Sequence, residues 1–260
     1  MTWAFKRQFI YFSAFILVFL GLGLWIGYPY LAKAPSCFDG KQNSDETGVD
    51  CGGSCARACT FEVDQISVFW SRIFRVTDGR YNAVAYLENQ NKNSAVYKIR
   101  YRFRFADKNN VYIGSREGET SIPPAGKFAI FEPAVGVGYS VPVYATFEFL
   151  ETPVWVNVGE EKINQLKVFV SNILLENQDT MPRMSATIKN NSLYIIPKLD
   201  VVTILYDEKG NAVTTSRTYL DVLRAEESVD INFTWPEPIL PKIVVKEIIP
   251  MYNIFLAKLK

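Results

Sequence analysis

Strict alternation of apolar and basic residues over 97–105, YKIRYRFRF, is the feature that most constrains the fold of this chain. Side chains of a strand point to opposite faces with a period of two residues. As a strand, this stretch has an aromatic and aliphatic face, which includes Tyr97, and an opposite face of cations. The cations are Lys98, Arg100, Arg102 and Arg104. The pattern predicts a β-strand with one buried face.

The alternating stretch belongs to an internal repeat with a period of about 100 residues, too long for a solenoid. Asn89 aligns with Asn190, and Asp107 aligns with Asp207. The tetrapeptide DKNN in the first copy and the pentapeptide DEKGN in the second are typical hairpin turns. Each copy therefore contains a similar succession of strands and turns.

The repeat predicts a mainly β fold with two tandem antiparallel β-sandwiches. From residue 61 onward the chain is rich in β-branched and aromatic residues, and no long helical period interrupts them. We expect the first sandwich over 61–158 and the second over 163–260, with the stretch 157–165 as their junction.

The strand pattern resembles a bacterial immunoglobulin-like family with an F-x-L-Y-D signature. VTILYDEKGN and YRFRFADKNN carry the resemblance, with IPPAGKFAIF for a later strand. It also resembles, more loosely, the sandwich of the water-stress LEA proteins. The resemblance implies an envelope-attached module without catalytic activity.

The N-terminal stretch predicts a membrane-spanning helix. Between Arg7 and Lys33 there are 25 residues without a charge. A helix of that length extends roughly 37 Å, enough to cross a hydrocarbon core of about 30 Å. Lys6 and Arg7 precede the apolar run, so the positive-inside rule places the N-terminus in the cytoplasm. We expect a cytoplasmic tip at 1–8, a single-pass anchor in the plasma membrane at 9–32, and an extracytoplasmic remainder.

Two alternatives to an uncleaved anchor stay open. The stretch AKA at 32–34 imitates a signal-peptidase site, although Pro35 follows it directly and typical signal peptides have a shorter apolar core. A lipid anchor on Cys37 is the other alternative, although APSC matches a lipobox poorly and would leave three cysteines to pair.

All cysteines fall within one short segment, which we assign to a cysteine-rich module at 37–60. They are Cys37, Cys51, Cys55 and Cys59. An even number of clustered cysteines outside the membrane predicts disulfides, and the sequence cannot choose among the three pairings. The segment has few large apolar residues, so covalent bonds would have to order it. A thiolate metal site is the alternative, but the spacing lacks the two short knuckles of zinc sites.

The same module concentrates oxygen ligands and predicts, as one hypothesis, a calcium site. The candidate ligands are Asp39, Asn43, Asp45 and Asp50. Calcium favours six to eight oxygens, but the spacing does not match an EF-hand loop, and an Asx-rich turn segment is the competing interpretation. The module resembles one of exported bacterial proteins, C-x-D-G-x-x-N-x-x-E-T-x-x-D-C-G-G-x-C. The resemblance implies an extracytoplasmic location and transfers no activity.

Two strand faces are candidate contact surfaces. The cationic face at 98–104 is interpreted as a solvated face of cross-strand ion pairs, because acids flank it on other strand-like segments. Docking of an acidic partner or of lipid headgroups is the alternative. In the second copy, Val202, Ile204 and Tyr206 make the corresponding face apolar. Such a face indicates a contact, either with the first sandwich or with another protein.

Composition narrows the function classes. The chain has 28 Lys and Arg against 27 Asp and Glu, whereas nucleic-acid-binding proteins usually show a basic excess. It has no histidine, which removes imidazole-activated nucleophiles and imidazole metal ligands. We expect no enzyme, no small-molecule substrate and no cofactor other than calcium. The leading hypothesis is a membrane-anchored binding or scaffold protein of the cell envelope, with an unidentified protein partner.

Two other functions stay open. One is an accessory subunit of an envelope secretion or surface-assembly complex. The other is a carboxylate-dependent cell-wall hydrolase, for which no sequence feature locates a carboxylate pair.

Overall fold

A computed structural model describes residues 3–31 and 34–260, so the stretch AKA at 32–34 lies mostly outside the described residues. The chain divides into two compact units between Ser54 and Cys55. That division falls inside the predicted 37–60 module, and both sandwiches belong to the second unit.

The first helix, α1 (Trp3–Leu31), is long and apolar enough to cross a membrane. Its candidate span, Trp3–Tyr28, has a mean hydropathy of 2.3, and none of its most apolar window is buried. Side chains such as Leu17 are exposed, unlike those of a helix in a soluble core. A signal sequence passes the same test of length and composition.

The segment that follows the helix is a short series of turns with little regular structure. An isolated bridge joins Gly48 to Cys51, and Asp50 adopts a φ of 55°. Gly53 has a φ of 55°, and a Cβ there would collide with the backbone carbonyl of Asp45. Only glycine fits this position, because both the backbone conformation and the close approach exclude a side chain.

The first sandwich contains seven strands. They are β1 (Ser67–Thr77), β2 (Arg80–Asn89), β3 (Ser94–Ala106), β4 (Tyr112–Ile122), β5 (Gly126–Val135), β6 (Tyr144–Phe149) and β7 (Trp155–Asn157). One antiparallel sheet has the order β1-β2-β5, and the other has the order β4-β3-β6, with β7 also paired to β3. Between them lies a core that includes Leu87, Phe103 and Phe128, all of which have no exposed surface.

The second sandwich repeats this arrangement after a short helix, α2 (Glu160–Gln165), which the sequence patterns do not predict. Its strands are β8 (Val168–Glu176), β9 (Arg183–Asn190), β10 (Tyr194–Asp207), β11 (Ala212–Leu223), β12 (Ser228–Thr234), β13 (Ile243–Met251) and β14 (Lys258–Leu259). The sheets have the orders β12-β9-β8 and β11-β10-β13, and β14 pairs with β10. The predicted mainly β fold, with an N-terminal apolar helix and antiparallel sandwiches, is confirmed.

Corresponding polar side chains have the same role in the two sandwiches. Asn89 donates from Nδ2 to two backbone carbonyls at 2.9 and 2.8 Å, and Asn190 does so at 2.7 and 2.8 Å. Asp107 accepts the backbone N–H groups two and four residues ahead at 2.8 and 2.9 Å, and Asp207 repeats this at 2.9 and 2.8 Å. The aligned residues therefore form the same corner and the same turn.

The prediction that Tyr97 belongs to the buried face of its strand is wrong. The register between β3 and β4 shifts between Val96 and Ile99, which marks a β-bulge, and Tyr97 is 51% exposed. A bulge inserts an extra residue and re-aims the side chains beside it. The Tyr97 ring instead lies 5.8 Å from the ring of Phe255 in the second sandwich.

A third apolar layer, which we call the junction layer, lies between the two sandwiches. It combines the outer face of the β1-β2-β5 sheet with the outer face of the β11-β10-β13 sheet. Its buried members are Phe74, Val84, Tyr86, Ala129, Phe131, Val202, Ile204 and Ile249. Arg75 adds an ion pair to Glu237 across the junction at 2.9 Å. The first sandwich contributes its β1-β2-β5 sheet, whose counterpart in the repeat is β8-β9-β12. The second sandwich contributes β11-β10-β13, the counterpart of β4-β3-β6, so the two sheets that meet are not equivalent.

Candidate functional site

The predicted disulfides are present. Cys37, Cys51, Cys55 and Cys59 are all disulfide-bonded. A thiolate metal site requires deprotonated cysteine sulfurs, and a sulfur in a disulfide is not a thiolate. The thiolate-metal alternative is therefore wrong for this structure.

The predicted calcium ligands lie in a network of local hydrogen bonds. Asp50 accepts two consecutive backbone N–H groups, both at 3.0 Å. Asn43 donates from Nδ2 to Asp39 at 2.8 Å, and this bond lowers the pKa of Asp39. The hydroxyl of Ser54 donates to Asp45 at 2.7 Å and lowers its pKa. These contacts are those of an Asx-rich turn segment, and the calcium site stays a prediction.

Each cation of the alternating strand contacts a carboxylate, in an arrangement that we call the charge ladder. Its pairs are Lys98–Glu119 at 2.7 Å, Arg100–Glu151 at 3.7 Å, Arg102–Glu117 at 2.6 Å, Arg102–Glu148 at 3.4 Å and Arg104–Glu148 at 2.8 Å. Arg102 lies directly opposite an acid on both neighbouring strands, β4 and β6. Its hydrogen bond to Glu117 raises its pKa. The cross-strand interpretation describes this geometry, and docking of an acidic partner stays a prediction.

The apolar face predicted in the second copy is mostly buried against the first sandwich. Val202 is 1% exposed and Ile204 has no exposed surface, and both belong to the junction layer. A partner protein cannot reach either side chain while the sandwiches are packed together. The prediction that Val202 and Ile204 contact another protein is therefore wrong for these two residues. Tyr206 is only partly buried, and its hydroxyl donates to Glu247 at 2.9 Å.

Beside Tyr206, a groove of about 650 Å³ opens where the two sandwiches meet. We call it the junction groove and define it by Phe69, Trp70, Tyr86, Lys127, Tyr206 and Glu247. The ring of Trp70 stacks on that of Tyr86 with centroids 5.4 Å apart, and the ring of Phe69 lies 5.7 Å from the same tyrosine. The ammonium of Lys127 lies 5.5 Å from the Phe69 ring and 5.8 Å from the Tyr86 ring. The groove thus has aromatic walls and a few charged groups.

Glu247 connects the two sandwiches at the edge of this groove. Its Oε1 accepts a hydrogen bond from the hydroxyl of Tyr86 at 2.6 Å, and its Oε2 accepts the Tyr206 hydroxyl at 2.9 Å. Burial raises the pKa of both tyrosines, and the hydrogen bonds to Glu247 raise it further. Both phenols therefore stay protonated at neutral pH and act as donors.

Sequence reasoning missed the residues of this groove other than Tyr206. Two of them come from β1 and one from β13, more than a hundred positions apart, so no local pattern joins them. The available signal was weak. The run AVAYL at 83–87 is apolar at both odd and even positions, which is typical of a strand that is buried on both faces.

Comparison with known proteins assigns no family to this chain. No protein-family model matches the chain, and no curated protein matches it. A crystal structure of red sea bream transglutaminase aligns with 72% of this chain at 8% identity, with a TM-score of 0.23. A crystal structure of vicilin from hazelnut, Corylus avellana, aligns with 68% of the chain at 9% identity, with a TM-score of 0.17. The chain covers 31% of the transglutaminase and 76% of the vicilin.

Proposed function

We propose that this chain is a membrane-anchored, extracytoplasmic binding or scaffold protein of the cell envelope and that it is not an enzyme. The observation that carries the proposal is the order of two elements along the chain. An apolar helix, Trp3–Leu31, precedes a module whose cysteines are all disulfide-bonded. Disulfides persist in oxidising compartments and are rare in the cytosol, so the module belongs on the outer side of the membrane.

The charges at the start of the chain support the same orientation. Lys6 and Arg7 lie at the N-terminal end of the helix, and its last turn contains no basic residue. The positive-inside rule then favours a cytoplasmic N-terminus. The likeness of the cysteine module to modules of exported bacterial proteins supports a bacterial envelope.

The packing of the sandwiches supports a binding or scaffold role. The junction layer makes 55–260 one compact unit, which would hold surfaces from both sandwiches in a fixed arrangement. The tyrosine hydroxyls with the most strongly raised pKa contact structural carboxylates. Tyr101 donates to Glu132 at 2.7 Å, and Tyr206 and Tyr86 both donate to Glu247. A perturbed pKa often marks a catalytic group, but burial and these pairs account for the shifts.

Membrane fractionation and protease protection test the location. We expect the full chain to stay in the membrane pellet through alkaline carbonate washing. Protease added on the outer side should digest the chain beyond Cys37 once the disulfides have been reduced and the sandwiches unfolded. A mature soluble form that begins near Pro35 would contradict the anchor and support a cleaved signal sequence.

A charge-reversal variant gives the matched control for orientation. Lys6→Glu and Arg7→Glu together remove the basic residues that precede the span, without changing its length. The positive-inside rule predicts that a fraction of this variant inserts in the opposite orientation, or not at all, and escapes external protease. Unchanged digestion of the variant would show that these two charges do not set the orientation.

A further inference from the structure

A β-bulge builds the aromatic wall of the junction groove. The register between β1 and β2 pairs Val68 with Leu87 and then Trp70 with Tyr86, so Phe69 is an extra residue without a partner. In a regular strand, Phe69 and Trp70 would point to opposite faces. The bulge instead brings both rings close to Tyr86, and Phe69 stays 50% exposed. Bulges often re-aim side chains next to functional sites.

The polar groups of the groove carry both signs of charge. Glu247 contributes a carboxylate, and Lys127 and Lys246 contribute ammonium groups. A carboxylate has about four acceptor positions. The two tyrosine hydroxyls use one position on each oxygen of Glu247, so each oxygen can accept a further hydrogen bond. The groove therefore offers donors and acceptors beside an apolar surface.

The groove carries one carboxylate and two ammonium groups, so a cation is opposed most strongly, an anion would still face Glu247, and a neutral ligand meets no like charge. Glu247 would repel an anionic group, and the hydroxyls of its two tyrosines already donate to it. Lys127 and Lys246 would repel a cation, and the Arg72 guanidinium already lies over the Trp70 ring at 5.4 Å. A neutral ligand that presents both a nonpolar C–H face and several hydroxyls can satisfy the rings, the carboxylate and the ammonium groups together.

We infer that the junction groove, built from Phe69, Trp70, Tyr86 and Lys127 of the first sandwich and Tyr206 and Glu247 of the second, binds a neutral glycan. Sugar rings stack their C–H faces on the half-exposed ring of Phe69. Their hydroxyls donate to Glu247 and accept from Lys127. The volume of about 650 Å³ lies in the range of small-ligand sites, which often form between domains.

The inference deepens the proposed binding role and rests on it only for the source of the glycan, the envelope. The groove itself requires only that the two sandwiches pack together. A chain that turned out to be secreted and soluble would still contain the groove. The location experiments and the binding experiment can therefore fail independently of each other.

The test measures binding by isothermal titration calorimetry. The full chain is held in phospholipid nanodiscs, because sugar-based detergents would compete for the groove. The neutral probes are hexasaccharides of glucose, mannose, xylose and N-acetylglucosamine. Oligogalacturonate is the anionic probe, oligoglucosamine the cationic probe and a proline-rich peptide the polypeptide probe. We expect at least one neutral probe to bind more tightly than all three others.

Two variants locate the binding. Phe69→Ala removes a half-exposed ring from the groove. It should lower the affinity for the glycan about tenfold or more, the loss expected for a stacked aromatic contact. Glu247→Gln keeps the shape and one acceptor oxygen, and should also weaken binding. The repeat supplies the matched control. Phe169 is the counterpart of Phe69, because VFW at 68–70 aligns with VFV at 168–170 in the repeat. Phe169 is also 50% exposed and lies outside the groove, so Phe169→Ala should change the affinity by less than about twofold.

Several results would overturn the inference. They are the absence of binding by every neutral probe, preferential binding of a charged probe or of the peptide, and glycan binding that survives Phe69→Ala unchanged. Equal losses in Phe69→Ala and Phe169→Ala would likewise show that the groove is not the site. Thermal unfolding of each variant, measured beforehand, identifies any general loss of folding.

Discussion

Replacement of Ile204 by alanine tests whether the junction layer makes the two sandwiches one folding unit. Ile204 has no exposed surface and belongs to a cluster that includes Val84 and Phe131 of the other sandwich. Truncation of a buried isoleucine to alanine costs about 2–5 kcal/mol, including the cavity that it leaves. Because the neighbours belong to two sheets that are each held by their own core, we expect little collapse and a cost of about 3 kcal/mol.

The cost can be measured by calorimetry and by hydrogen exchange. For a unit the size of 55–260, each kcal/mol lowers the melting temperature by about 2–4 °C, so Ile204→Ala should lower it by about 6–12 °C. Wild type should unfold in a single transition. Amides of β2 in the first sandwich should exchange faster in the variant, although the substitution lies in the second sandwich.

Leu174→Ala is the matched control. Leu174 is an aliphatic residue of the same size in the second sandwich, but it is 53% exposed and lies outside the junction layer. It should change stability by less than about 0.5–1 kcal/mol. The reasoning would be refuted by two separate transitions in wild type, or by an Ile204→Ala variant as stable as the Leu174→Ala control.

Three further predictions concern charge and redox state. Burial raises the pKa of Asp200 despite the opposing effect of Arg217, so the ionised carboxylate destabilises the fold above that pKa. Urea unfolding at pH 7 should therefore show Asp200→Asn to be more stable than wild type, and the difference should shrink as the pH falls through the Asp200 pKa. Changing Arg100, Arg102 and Arg104 together to glutamine should lower stability by about 2 kcal/mol or less, since exposed ion pairs contribute roughly 0–1 kcal/mol each, and the loss should diminish at high salt. Alkylation before reduction should label no cysteine, and alkylation after reduction should label all four.

Each of these predictions has a distinct contrary result. Lower stability of Asp200→Asn at pH 7 would show that the contact with Arg217, at 3.6 Å, outweighs the burial of the carboxylate. A salt-sensitive loss of a captured partner by a normally folded arginine variant would favour the docking alternative for the charge ladder. Free thiols in protein from native membranes would contradict the disulfides.

The elements that the sequence predicted correctly depend on local chemistry. Alternation with period two identifies strands such as β3 whatever their partners are. Asp107 and Asp207 close equivalent turns through hydrogen bonds to residues within four positions, so their spacing alone was informative. Clustering of the cysteines in one segment likewise predicted disulfides without knowledge of their pairing.

The elements that the sequence did not predict depend on distant partners. Tyr97 was assigned to the wrong face because a bulge is defined by the register of two strands, and one inserted residue reverses the pattern. The groove was missed for the same reason, since the bulge at Phe69 creates its wall. The contact of Val202 with the first sandwich required knowledge of which faces meet, and the sequence pattern left two alternatives open.

The unequal faces at the junction have a consequence for self-association. Because each sandwich uses a different sheet, the contact is head-to-tail, and such contacts can in principle add copies without end. The two sheets left free are more polar than the junction layer. One carries the charge ladder, and on the other the strands β9 and β12 present polar side chains such as Thr187, Asp230 and Asn232. Like the terminal repeats of a solenoid, which need a polar outer face to stay soluble, these surfaces are less suited than the junction layer to a further apolar contact.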